Sequence, residues 1–331
     1  MRKALALIIK AAVSGLLLYF ALAAVDIGAV KARLGQIEAA WVALGLLVLV
    51  LQLAIMAVRW QQIVIRCGSP LTVARAFRFS MIAGFFNQTL PSSVGGDALR
   101  IWLIAKHANW RTAAYSVLLD RVIGVVALAC LVVACLPWTL ALISNPVGRG
   151  ALLLIGFGAI AAGLVFIALA WEQLRILQRW SLTRHLAAVA KVATTLLRTP
   201  SAFAPIFALS IIIHLLTALA AWCAARSVGT NLSLLYSLFL VPPVVLITVV
   251  PISIAGWGVR ESAMIAAFGY AGLAQSDGLI VSLLFGGGYL VLGIVGGLVW
   301  ILTAERGERP SEAMIGAIPF DEARDAVRDR R

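Results

Sequence analysis

Two short stretches of this 331-residue chain hold residue types able to do chemistry. Pro91-Ser-Ser-Val-Gly-Gly-Asp-Ala-Leu-Arg100 brings a proline, a glycine pair, a carboxylate and a guanidinium together. Pro251-Ile-Ser-Ile-Ala-Gly-Trp-Gly-Val-Arg260 repeats the pattern 160 residues later. Pro251 falls over Pro91, Ser253 over Ser93, Ile254 over Val94, Ala255 over Gly95, Gly256 over Gly96 and Arg260 over Arg100. The chemistry on offer is anion binding. A guanidinium grips a phosphate through parallel N–H donors, and helix N-termini beside glycine add backbone N–H groups.

Arg100 and Arg260 are therefore the leading candidates for a phosphate-bearing headgroup. Arg66 and Arg226, related by the same offset and each closing an apolar run, stand behind them. An arginine at the membrane centre costs roughly 2.5–3.5 kcal/mol on insertion scales, so such charges are functional candidates; the alternative is an anchor at the interface. Asp97 and Glu261 follow the two loops and either pair with the arginines or take a proton or cation. Asp120 and Arg121 are neighbours on one helix and point apart, so each needs a partner elsewhere. Asn87 and Gln88 precede the first loop and either cap backbone groups or touch substrate, while Gly95, Gly96, Gly256 and Gly258 let the loops turn. His214, inside an apolar run, fits an interhelical hydrogen bond. Cys67, Cys130, Cys135 and Cys223 show no metal-ligand spacing. No nucleophile–base arrangement and no Walker pattern is present. The expectation is a non-enzyme with no cofactor, no metal and no catalytic residue.

The elements that position these residues are set by composition. Hydrophobic residues make up 62% of the chain and charged ones 12%, with a mean hydropathy of +1.01. A soluble domain carries about twice that charged share. Continuous Leu/Ala/Val runs exclude a β-barrel, whose strands alternate. The expected class is an all-α, polytopic helical membrane protein. Its net charge of +13 belongs to loops facing anionic lipid and does not signal nucleic-acid binding.

Full spans are expected over residues 4–25, 41–58, 117–136, 151–171, 204–225 and 279–302. Residues 77–90 and 234–250 are short or proline-interrupted runs leading into the two loops, and they suit broken or re-entrant helices; if both cross, the spans number eight. Residues 101–115 and 261–274 read as short mixed helices, and 172–198 as a basic amphipathic helix on the cytoplasmic surface. Pro137, Asn145 and Pro146 mark an outside turn, and the Pro242-Pro243 pair a break. Of the 27 Lys and Arg, only Lys31, Arg33, Arg149, Arg226 and Arg260 fall in segments assigned outside, which places both termini in the cytoplasm. The order span, span, broken segment, loop, span occurs twice. Residues 1–137 and 151–302 then form two inverted repeats of one transmembrane domain, 1–304, before a charged, disordered tail at 305–331. Inverted repeats with discontinuous helices are a hallmark of transporters.

Asn87-Gln-Thr-Leu-Pro-Ser-Ser-Val-Gly-Gly-Asp-Ala-Leu-Arg100, Leu118-Leu-Asp-Arg121 and Pro251-Ile-Ser-Ile-Ala-Gly-Trp-Gly-Val-Arg-Glu261 resemble, in order, the lysylphosphatidylglycerol synthase transmembrane-region family. The resemblance implies a flippase-like membrane protein. In two-domain members the membrane part moves aminoacylated phosphatidylglycerol between leaflets and a soluble C-terminal domain makes it; stand-alone members are linked to other lipids, including hopanoids and isoprenoid-linked sugars. The short tail is expected to hold no synthase domain. By resemblance, Asp97, Arg100, Asp120, Arg121, Arg260 and Glu261 fall on family motif positions.

The function expected is a multi-pass inner-membrane transporter or flippase for an anionic or isoprenoid-type lipid, with Arg100 and Arg260 gripping the phosphate from opposite sides. Its partners are a phospholipid or isoprenoid lipid and the membrane, with a homodimer or a lipid-synthesis enzyme as further possibilities. Two alternatives differ in class. One is a transferase acting on a lipid phosphate with Asp97 or Glu261 as base; the other is a scaffold recruiting a lipid-synthesis enzyme through residues 172–198 or the tail.

Overall fold

The computed structural model describes residues 2–89, 95–106, 109–168, 181–250 and 253–303. Every element among them is a helix. In hydrocarbon each backbone N–H and C=O must find an internal partner, and a helix provides one within a single segment. The first half holds α1 (Arg2–Ala23), α2 (Ile27–Leu34), α3 (Ala39–Arg66), α4 (Val73–Thr89), α5 (Gly95–Ala105) and α6 (Trp110–Leu142). The second holds α7 (Pro146–Ala168), α8 (Ser181–Leu197), α9 (Pro200–Ser227), α10 (Leu234–Thr248), α11 (Val259–Tyr270) and α12 (Gln275–Leu302). Among the described residues, α3, α6, α7, α9 and α12 are long and apolar enough to cross a membrane, so the chain is a multi-pass helical membrane protein. The remaining expected span, residues 4–25, falls on α1, within which Ala12–Ala23 is a shorter apolar helix.

Three local expectations are corrected. Pro137 does not end the third span but lies inside α6. The turn comes later, at 143–145, where Asn145 Oδ1 accepts the Val147 N–H and Arg149 donates to the carbonyls of Ile143 and Leu140. Pro242 and Pro243 do not break their helix either; α10 runs through both. Proline removes one N–H, and in a packed helix the freed carbonyl is met by neighbours; α10 packs on α6, α9 and α11. Residues 101–115 are not one helix, because Asn109 accepts the Arg111 N–H and starts α6 afresh after α5 ends at Ala105. Pro91, Ser93, Val94, Pro251, residues 172–180 and the tail lie outside the described residues.

The second loop is held by α1. Ala255, Gly256 and Gly258 have φ of 50°, 80° and 84°, a left-handed conformation that favours glycine. A Cβ on Gly258 would stand 2.8 Å from Leu17 Cβ and the Ser14 carbonyl oxygen, so only glycine lets α1 come this close. The Ser14 hydroxyl accepts the Ile254 N–H at 2.9 Å.

The packing repeats. Exchanging α3 with α9, α4 with α10, α5 with α11 and α6 with α12 carries packed pairs onto packed pairs: α3·α4 onto α9·α10, α4·α5 onto α10·α11, α5·α6 onto α11·α12, α3·α6 onto α9·α12, and α4·α12 onto α10·α6. The pair α3·α9 maps onto itself.

Candidate functional site

Five charged side chains from three helices form one network. Asp120, fully enclosed in α6 about 15 Å along from its first residue, accepts from Arg59 Nε of α3 at 2.9 Å and from Arg100 NH2 of α5 at 3.0 Å. Arg100 NH1 also stands 3.5 Å from Asp97, which in turn accepts from Arg121 Nε at 2.6 Å. Asp120 and Arg121 thus do point apart, to different partners. Arg59 reaches a third span through the Ser210 hydroxyl of α9 at 3.0 Å. The guanidinium of Arg100 lies 3.9 Å over the buried ring of Trp60, which fixes its plane and leaves its edge for anions. Asn87 Oδ1 accepts the Gly96 N–H at 2.9 Å and ties the start of α5 to α4. A Cβ on Gly96 would strike the Ala83 carbonyl and Asn87, so the glycine permits that junction.

These charges line a cavity of about 190 Å³ together with Gln52, Ser80, Gly84, Asn87, Gln88 and Tyr289. Burying ions is costly unless each is paired and hydrogen-bonded. Three guanidinium groups here, those of Arg59 and Arg100 buried and that of Arg121 half-exposed, share two carboxylates, leaving one net positive charge. Arg100, 7% exposed, also has an Nε donor with no acceptor among the described residues. The cavity has a surplus of cationic donors. At its far side, Tyr289 donates to Gln52 Oε1 at 2.8 Å, and Gln52 donates to the Ile213 carbonyl and the Thr217 hydroxyl. An apolar furrow of about 330 Å³ runs beside it between α3, α9 and α12, with Leu49 lining both.

Arg260 does not line this cavity, a correction to the expectation that it faces Arg100 across one site. It donates to Glu261 Oε1 through NH2 at 2.7 Å and through Nε at 3.0 Å, and its Nε also meets the Ser282 hydroxyl. Ser282 donates to the same carboxylate oxygen, and Glu261 Oε2 accepts the Gly258 N–H at 2.6 Å. Trp257 lies 4.7 Å from the Arg260 guanidinium. This cluster is neutral and closed. Gly256 stands in the loop beside it, while Gly95 and Gly96 are buried at the start of α5. Arg66 and Arg226 are exposed at the C-terminal ends of α3 and α9; Arg66 donates to the Gln62 carbonyl and Arg226 lies over Trp41. Both sit where helix dipoles favour cations and neither lines the cavity. His214 pairs with the Gly124 carbonyl across α9 and α6 at 2.9 Å. No cluster of three or more His, Cys, Asp or Glu that could hold a metal occurs among the described residues.

Arg59 and Gln52 are the site residues that sequence reasoning missed. Ending the second span at residue 58 put Arg59 in a cytoplasmic basic stretch, whereas α3 continues two turns further to Arg66. The signal was the spacing of Leu49, Gln52, Leu53, Met56 and Arg59, which is one face of a helix and is the face that lines the cavity.

No curated protein and no solved structure matches the chain. A family model described as the lysylphosphatidylglycerol synthase TM region matches residues 7–297, a stretch containing both clusters and the cavity between α3, α4, α5, α6 and α12. The chain is an integral membrane protein of lipid metabolism or transport and belongs to the lysylphosphatidylglycerol synthase transmembrane-region family.

Proposed function

We propose that this chain is an inner-membrane lipid transporter that moves an anionic lipid, a phospholipid or an isoprenoid phosphate, between leaflets without altering it. The observation that carries this reading is the unbalanced network: three guanidinium groups against two carboxylates, with the Arg100 Nε donor unmet, in one cavity. A phosphate supplies the missing negative charge and the missing acceptor together. The furrow between α3, α9 and α12 offers an apolar path for an acyl or isoprenoid chain from the same cavity. Taken as inverted halves, the repeated packing lets the cavity open to one leaflet and then the other. A transferase reading has less support, since Asp97 and Glu261, its candidate bases, are both held in ion pairs.

The test is leaflet exchange of an acyl-labelled phosphatidylglycerol in proteoliposomes. Losing a hydrogen bond to a charged group costs roughly 1.5–3 kcal/mol, so Arg100→Gln should slow exchange about tenfold or more. Gly84→Leu puts an apolar side chain on the cavity wall and leaves the network residues unchanged; a Cβ there meets nothing within 4 Å. A folded Gly84→Leu variant that exchanges lipid at the parent rate refutes the assignment of the site.

A further inference from the structure

The cavity lining carries two kinds of polar group. One is the charged network, where both carboxylates are engaged: Asp120 accepts from Arg59 and Arg100, and Asp97 accepts from Arg121 beside Arg100. The other is a polar stripe on one face of α4, formed by Ser80, Gly84, Asn87 and Gln88 at helical spacing. Gln88 Oε1 is buried there with no donor among the described residues. The cavity therefore leaves two needs unmet: an acceptor at Arg100 Nε and a donor at Gln88 Oε1.

From this pairing we infer, building on the transport reading above, that the cavity selects a phosphodiester whose headgroup carries a hydroxyl and no ammonium, as in phosphatidylglycerol. The phosphate takes the surplus positive charge and the Arg100 Nε. The hydroxyl reaches Gln88. A hydroxyl donates to the unmet Gln88 Oε1, and an ammonium donates as well, so charge decides between them. An ammonium brings a positive charge into a cavity that already holds one in excess and has no free carboxylate to receive it. Ethanolamine and lysyl headgroups are disfavoured on the same ground, so the aminoacylated lipid linked to the family is a poor fit for this chain.

The purified full chain is titrated with short-chain phosphatidylglycerol, phosphatidic acid, phosphatidylethanolamine and glycerol 1-phosphate, with binding read by native mass spectrometry. Leaving a buried polar group unpaired is expected to favour phosphatidylglycerol about tenfold over phosphatidic acid, and bringing in an uncompensated ammonium to disfavour phosphatidylethanolamine by about tenfold or more. That preference should vanish in Gly84→Leu. Gln88→Glu supplies the missing carboxylate and should move the preference toward phosphatidylethanolamine, a gain that misfolding cannot mimic. Equal binding of phosphatidylglycerol and phosphatidic acid overturns the hydroxyl assignment, and phosphatidylethanolamine binding as tightly as phosphatidylglycerol overturns the exclusion of ammonium. Glycerol 1-phosphate binding as tightly as the lipid supports the headgroup chemistry but overturns a lipid ligand. Selective binding without any leaflet exchange supports the inference and overturns the transport reading alone.

Discussion

Asp120→Asn is the sharpest test of the network. Among the described residues, Asp120 is the sole acceptor for both Arg59 Nε and Arg100 NH2, at 2.9 Å and 3.0 Å, and it is almost wholly buried. The substitution keeps the shape but removes the charge, leaving three guanidinium groups with Asp97 alone. Removing one partner of a buried pair costs about 3–5 kcal/mol, a large part of the roughly 5–15 kcal/mol that holds a typical protein folded. On the scale of larger domains this is a drop in melting midpoint on the order of 10 °C. The assay is intrinsic tryptophan fluorescence of the purified protein, heated at one fixed scan rate because membrane-protein unfolding is commonly irreversible. Arg59→Gln completes a cycle. The double variant Arg59→Gln/Asp120→Asn restores the original net charge, so it should lose less than the sum of the single changes, with a coupling of about 1–3 kcal/mol. A parent-like midpoint for Asp120→Asn, or strictly additive losses, refutes the claim that these charges act as one unit.

Two further predictions probe the second cluster and the end of α3. Gly286→Ala places a methyl group against the Arg260 guanidinium and should strain its bonds to Glu261 and Ser282, whereas Gly287→Ala, where a Cβ meets nothing within 4 Å, should melt with the parent. Equal midpoints for the two alanine variants would show that Arg260 moves aside freely. Burial pushes the Cys67 thiol, just past the end of α3, up to about 11. Since the thiolate is the nucleophile, maleimide labelling of a variant keeping only Cys67 should rise about tenfold per pH unit from pH 7 to pH 10; a plateau near pH 9 would place the thiol in water.

The sequence exposed some of this site and hid the rest for definite physical reasons. Asp120 and Arg121, neighbours on one helix that point apart, announced two contacts, and the structure supplies Arg59 and Arg100 for one and Asp97 for the other. The Pro-Gly-Arg loops stood out because irregular backbone at membrane depth needs a reason. Arg59 was hidden because a charge reads as the end of a span, although a buried counter-ion lets the helix continue past it. Pro137 and the Pro242-Pro243 pair misled in the same way: local propensity favours a break, and tertiary packing overrides it. Sequence also could not say that Arg100 and Arg260, matched by the 160-residue offset, stand in different chemical settings.

That difference follows from where the repeat fails. At the offset that carries Arg100 onto Arg260, Asp97 falls on Trp257 and Asp120 falls on Ile280. The second half therefore has no span-borne carboxylate for its arginine, and Arg260 takes its counter-ion from the adjacent residue, Glu261. Each arginine has an aromatic ring under it, but from unrelated positions: Trp60 of α3, which falls on Ala220 at the offset, for Arg100, and Trp257, which falls on Asp97, for Arg260. A pair of neighbours on one helix moves as a single body and stays neutral through any rearrangement of the bundle. The counter-ions of Arg100 sit on α5 and α6, and Asp120 is shared with α3, so relative motion of these helices changes how much charge Arg100 can offer. On the proposed reading, admission of an anion is then governed by the first cluster, while the second serves to hold its loop against α1.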